Sequence, residues 1–263
     1  MDLARLATDY ERDGYVSAVP ILDVEGAANH RAALEQAETE RGPIHYKAKL
    51  HTVMTSPLSL ATDSQVLDVV EALIGPDILL YDVTYIIKEP GTESHVSWHQ
   101  DLTYWGLSGD AQVSMWLALS PATNLSGCMR MIPGSHHEGA FAHETGDDAS
   151  NVLLQSQTVA GVDEDRAVLC PLAPGEASFH HGWVLHASMP NRSDDRRIGL
   201  NVQYLAPHIR QTKHDLDSAM LVRGKDRFGH FRTDVPAAGE FLPDAVARWE
   251  ALDRLHVETQ GGA

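Results

Sequence analysis

The 263-residue sequence contains only two cysteines, Cys128 and Cys170, and no CxxC pair. This excludes a disulfide framework and a thiolate zinc site, and it fits a reducing cytoplasm. No stretch approaches the roughly 18 apolar residues of a membrane span. The N-terminal MDLARLATDYERDGY is charged from its second residue and has no apolar signal-peptide core. The C-terminal Gln-Gly-Gly-Ala is not a peroxisomal address. A cytoplasmic location is therefore expected. Basic residues are scarce as well. Lysine plus arginine number 20 against 37 aspartates and glutamates, for a net charge of −17. That charge repels nucleic-acid backbones and anionic membranes, so neither is expected as a partner. Internal repeats and low-complexity tracts are absent too. With 43% hydrophobic and 22% charged residues, the composition is that of a globular protein.

The chain length suits one domain with a buried core. Asp23 can cap a helix running to about Arg41, which Gly42-Pro43 stops. Asp63 or Ser64 can cap a second helix, with Val66, Leu67, Val69, Val70, Leu73 and Ile74 at helical spacing. From residue 78 the character changes. ILLYDVTYIIK (78–88), QVSMWLALS (112–120), ASFHHGWVLHAS (177–188) and RIGLNVQYLA (197–206) read as strands punctuated by Gly and Pro turns. The Asn191-Arg192-Ser193 sequon reads as part of a turn. The expected fold is mainly β with flanking helices, a β-sandwich or a closed double sheet of the jelly-roll kind. Its parts are a helical region to about residue 77 and a β-core over 78–210. A rim or lid loop interrupts the core over 136–165, and a C-terminal helical segment covers about 236–259.

Histidine is the abundant residue, at 15. It is the commonest metal ligand, so the spacing of these histidines matters more than their number. In SWHQD (97–101), His99 and Asp101 are two residues apart. In a strand both would point to one face and converge on a cation. A distant histidine would complete a two-histidine, one-carboxylate face, which leaves coordination positions open and suits non-haem Fe(II). His186 is the candidate, in FHHGWVLHASMPNRSDDRRIGLNVQY (179–204). A hairpin there can set Arg197 beside it, and a guanidinium suits bidentate carboxylate recognition. His181 is expected on the face opposite His186, as a structural residue.

WHQD, MWLALSPAT, GCMRMIPGSH and HHGWVLHASMPNRSDDRRIGLNVQY, with the strand ending in IIKEPG, resemble the phytanoyl-CoA dioxygenase family of Fe(II)/2-oxoglutarate oxygenases. The resemblance covers roughly residues 60–210. It implies a double-stranded β-helix with His99, Asp101 and His186 as catalytic iron ligands. It implies that Arg197 and Ser188 hold the distal carboxylate of 2-oxoglutarate, with Trp116 nearby. Lys49 is the candidate polar residue from the region before the metal motif. Related halogenases have a small residue where Asp101 stands, so this resemblance implies oxidation, with O2 consumed and succinate and CO2 released. Tyr104, Trp105, Arg130, Asn201 and Gln203 are candidate substrate contacts. The absence of a basic cluster for the phosphates of CoA favours a small polar metabolite. A monomer or homodimer is expected. An inactive small-molecule-binding protein and a zinc hydrolase with the same ligand set remain alternatives.

Overall fold

The computed structural model describes residues 1–261. Helices α1 (Leu3–Asp13), α2 (Val24–Arg41), α3 (Thr55–Ala61) and α4 (Ser64–Ile74) build the N-terminal part, with β1 (Tyr15–Pro20) between the first two. The expected caps form. Asp23 accepts from the Gly26 N–H, and Asp63 accepts from Gln65 and Val66. These bonds satisfy amides that a helix start otherwise leaves open.

The β-core comprises β2 (Ile78–Lys88), β3 (Val96–His99), β4 (Gln112–Ala118), β5 (Met129–Met131), β6 (Val168–Cys170), β7 (Glu176–His180), β8 (His186–Ser188), β9 (Arg197–Leu205), β10 (Ser218–Arg223) and β11 (Arg232–Thr233). The large sheet has the order β1-β7-β4-β9-β2-β10-β11, and the small sheet β3-β8-β5-β6. They form a double-stranded β-helix whose two sheets are not closed into one barrel. A short helix, α5 (Leu102–Trp105), follows β3, and α6 (Pro243–Gly261) ends the described chain.

Residues 177–188 were expected as one strand, but they form two. The chain breaks at His181–Leu185, so β7 joins the large sheet and β8 the small one. This transfer between sheets keeps the termini of both strands at one cavity.

The two faces of the large sheet are chemically different. Val83, Tyr85, Met115, Phe179, Leu200 and Val202 face outward into the main core, against α1–α4. Every second residue faces inward instead. In register, these inner rows run Asp82–Gln203–Ser114–His180, Thr84–Asn201–Trp116–Ser178, and Lys88–Arg197. A bulge sets this phase on β2. Leu80 pairs with Tyr204 and Asp82 with Gln203, so Tyr81 is an extra residue. Tyr81 and Asp82 therefore both lie on the inner side, and the alternation restarts one residue late.

Residues 136–165 hold short 3-10 turns at Ser135–Glu138, Leu154–Ser156 and Glu164–Arg166, with isolated bridges between them. Asn191 is fully buried, and its amide donates to the carbonyls of Lys88 and Asp195, which fixes the turn between β8 and β9. Both cysteines are free and buried. Among the described residues, no helix is long and apolar enough to cross a membrane.

Candidate metal centre

His99 ends β3 and His186 begins β8, and the two are direct cross-strand partners. Their ring centroids lie 4.0 Å apart. Asp101 reaches the same point by a different route from the one its spacing suggests. β3 stops at His99, and Asp101 has helical φ/ψ of −57° and −45° at the start of α5. The chain turns there, and the turn brings the carboxylate back over the strand ends. Asp101 Oδ1 lies 3.4 Å from His99 Nε2 and 3.7 Å from His186 Nε2. One ligand atom from each residue fits within a 4.8 Å cluster.

Backbone carbonyls fix the direction of both imidazoles. His99 Nδ1 donates to Ser97 O at 2.9 Å, and His186 Nδ1 to Val184 O at 3.1 Å. Each ring then presents an Nε2 lone pair to the centre, the tautomer a metal ligand needs. Ser114 Oγ donates to Asp101 Oδ2 at 3.2 Å, and His180 Nε2 lies 3.4 Å from the same oxygen. Burial by itself raises the Asp101 carboxyl, but His186, His180 and His99 outweigh it and hold the group well below the usual carboxylate range. Burial lowers His186 well below its ordinary value, and His99 adds to this. Both groups thus keep the deprotonated form a cation requires.

A cavity of about 330 Å³ opens from this cluster between the sheets. Trp116, Ser188 and Arg197 line it, as do Tyr104, Trp105, Asn201 and Gln203. Arg197 is 2% exposed, and its guanidinium stacks 4.9 Å from the Trp116 ring centroid. Its Nη1 donates to Gly127 O at 2.5 Å, while its buried Nε has no partner among the described residues. A buried cation with an unused donor at a cavity wall is built for an anion.

Two expected contacts lie elsewhere. Lys49 is buried, but its ammonium donates to the carbonyls of Tyr81 (2.5 Å) and Ser218 (2.6 Å), beside Asp234 at 3.5 Å. It braces the bulge through the Tyr81 carbonyl and does not line the cavity. Arg130 alternates on β5 with Met129, which faces the cavity, so its own side chain points away. It pairs with Glu164 at 2.7 Å and stacks 4.8 Å from the Trp98 ring centroid.

Two residues near the cluster escape a reading by motif. His180, and not His181, belongs to the inner face. His181 accepts from the Trp183 N–H and packs near Tyr10 and His136. Lys88, the cross-strand partner of Arg197, donates to Ser188 Oγ at 2.7 Å and to Met189 O at 2.6 Å. Burial pushes its ammonium down to about 6, and the charge of Arg197 adds to this. The signal for Lys88 is a lysine in step with Asp82 and Thr84 on a strand otherwise rich in apolar residues.

Known proteins agree with this architecture. The family model of phytanoyl-CoA dioxygenase (PhyH) matches residues 10–199. A probable alpha-ketoglutarate-dependent hypophosphite dioxygenase from Stutzerimonas stutzeri is 28% identical over 151 residues, covering 56% of this chain and 52% of that protein. The phytanoyl-CoA dioxygenase domain-containing protein 1 of Danio rerio is 34% identical over 128 residues, covering 48% of this chain and 43% of its own. The chain thus spans about half the length of these curated relatives. Among solved structures, the apo form of the non-heme monooxygenase ThoJ superposes with a TM-score of 0.82 at 29% identity, covering 96% of this chain and 99% of that one. CytC3 with Fe(II) and alpha-ketoglutarate gives a TM-score of 0.70 at 21% identity over 90% of this chain and 95% of its own, a likeness of fold. The match of the family model across most of the β-core and the N-terminal helices shows that the chain belongs to the phytanoyl-CoA dioxygenase family.

Proposed function

We propose that this chain is a non-haem Fe(II)- and 2-oxoglutarate-dependent dioxygenase that hydroxylates a small-molecule metabolite at an unactivated C–H bond. The observation that carries the reading is the pairing of two features in one cavity. One is the convergent His99–Asp101–His186 cluster, and the other is Arg197 with its unpartnered buried Nε. A metal-only hydrolase has no use for the second feature.

In this reading His99, Asp101 and His186 would hold Fe(II), the metal that a two-histidine, one-carboxylate set suits. Bound iron and 2-oxoglutarate supply the oxidising chemistry, with release of succinate and CO2. The protein's own residues bind, orient and shield. Arg197 pairs the distal carboxylate of 2-oxoglutarate, with Ser188 beside it and Trp116 under the guanidinium. Ser114 and His180 hold the orientation of Asp101, as outer partners of a metal site do. Val152 and Leu153, from the 136–165 segment, help to cover the cavity and keep water from the reacting centre.

The test is succinate release from 2-oxoglutarate with Fe(II) present, compared with the Asp101→Ala variant. The wild type should release succinate, and the variant should lose at least about a hundredfold through loss of metal affinity. Absence of both iron binding and succinate formation in the wild type would overturn the reading.

A further inference from the structure

The inner face of the large sheet has basic side chains at one end and an acidic one at the other. Lys88 stands beside Arg197 at one end, and Asp82 stands at the other. Six residues separate them, or about 20 Å along the strand. Asp82 is 1% exposed and lines the cavity. Its Oδ1 accepts from the Lys49 backbone N–H at 2.6 Å. Among the described residues, the basic side chain within 4.0 Å of its carboxylate is His256, whose Nε2 lies 3.9 Å from Oδ2. The nearby Lys49 ammonium is committed to Tyr81, Ser218 and Asp234.

Other polar atoms of the cavity lining also lack partners among the described residues. Gln203 Oε1, His256 Nδ1 and the Tyr104 hydroxyl are all buried and unbonded. The three residues are 5%, 7% and 7% exposed, and all line the cavity. Buried polar atoms left open cost free energy unless a ligand or water engages them. The carboxylate and the amide oxygen are pure acceptors, and they sit side by side on paired strands. The bulge at Tyr81 is what turns Asp82 inward, and bulges of this kind re-aim side chains next to functional sites.

We infer that the substrate carries an amine, bound as an ammonium group by Asp82 and Gln203, with an apolar body directed toward the metal centre. The cavity lining offers apolar surface for such a body in Ala48, Trp105 and Val257. The row Asp82–Gln203–Ser114 sets the reach. Ser114 bonds Asp101, and Asp82 stands two strands away, about 10 Å across the sheet. A protein of net charge −17 also attracts cationic small molecules at long range. The inference rests on the oxygenase reading only in giving Arg197 to the co-substrate, so that the acidic end is left for the substrate.

The test uses three probes of one shape: 4-phenylbutylamine, 4-phenylbutanol and 4-phenylbutanoate. Each is titrated calorimetrically into the full chain, both metal-free and loaded with Zn(II) and 2-oxoglutarate, where no turnover occurs. The amine should bind about tenfold tighter than the alcohol, the gain of a charge-assisted hydrogen bond, and the carboxylate weakest. In Asp82→Asn, which keeps an acceptor for the Lys49 N–H, the amine's advantage should vanish. Gln203→Leu should weaken the amine several-fold and provides the test if Asp82→Asn does not fold. Parity of amine and alcohol, a preference for the carboxylate, no measurable amine binding, or an unchanged preference in the variants would overturn the inference. Succinate formation is read separately. A chain that makes succinate yet ignores the amine defeats this inference alone, and one that binds the amine without making succinate defeats the oxygenase reading alone.

Discussion

At the scale of single residues, the most unusual pairing is Lys88 beside Arg197. The two basic groups are 3% and 2% exposed and neighbours across paired strands, and among the described residues neither has a carboxylate within salt-bridge distance. Burial, then the charge of Arg197, moves Lys88 down to about 6, so at pH 7.5 it is largely neutral. Its folded value lies below its unfolded one, so the stability it contributes is full at high pH and is lost as pH falls toward about 6. A carboxylate arriving at Arg197 cancels part of the repulsion and favours the ammonium form. Binding of 2-oxoglutarate at pH 7.5 should therefore take up a fraction of a proton. Calorimetric titration in two buffers of different ionisation enthalpy reads that fraction directly, and Lys88→Met should abolish it. Equal apparent enthalpies in the two buffers with the wild type would count against this placement of the anion.

At the scale of elements, the large sheet accommodates Trp116 because a glycine, Gly199, stands diagonally across on β9, two residues before its direct partner Asn201. A Cβ on Gly199 would lie 1.9 Å from Trp116 Cζ2, closer than any van der Waals contact. The indole supports the Arg197 guanidinium, so its displacement should be felt at the anion site. Gly199→Ala should destabilise the fold by about 1–3 kcal/mol, as overpacking does. It should also weaken 2-oxoglutarate about tenfold while leaving metal affinity unchanged. Metal and co-substrate titrations on the same variant decide this, and an unchanged co-substrate affinity would refute it.

The elements also show what the sequence makes legible. β2, β4 and β9 follow from their β-branched and aromatic content, and α2 and α4 follow from their Asp caps and glycine stops. Alternation along β9 places Asn201 and Gln203 at the cavity. What period alone misses are the interruptions. The break after His180 sends one apparent strand into two sheets, β7 into the large one and β8 into the small one. The turn after His99, in place of a continued strand, brings Asp101 to the cluster. The bulge at Tyr81 moves Asp82 inward, and the Lys49 ammonium is held at Tyr81, Ser218 and Asp234. Each is a backbone event set by tertiary pairing, to which a two-residue period is blind.

At the scale of the whole molecule, the metal cluster ties distant parts of the chain together. His99 and Asp101 lie at the end of β3, His186 opens β8 in the same small sheet, and Ser114 and His180 support Asp101 from the large sheet. A cation here bridges segments on the two sides of the 136–165 insertion, and Arg197 brings in the strand at the centre of the large sheet. Unfolding separates all of them, so ligands of the folded state must stabilise it by mass action. At a hundredfold excess over the dissociation constant, one ligand adds about 2.7 kcal/mol. For a chain of this length each kcal/mol raises the melting temperature by roughly 2–4 °C. Mn(II), a redox-stable substitute for Fe(II), should therefore raise Tm by about 5 °C or more at saturation, and 2-oxoglutarate should add to the shift only when the metal is present. EDTA should reverse both. Asp101→Ala should show neither, because loss of the carboxylate removes the metal and with it the anchor for the co-substrate. Arg197→Met should keep the metal shift and lose the increment from 2-oxoglutarate. A co-substrate shift that persists in both variants would place the anion somewhere other than the Arg197 end of the cavity.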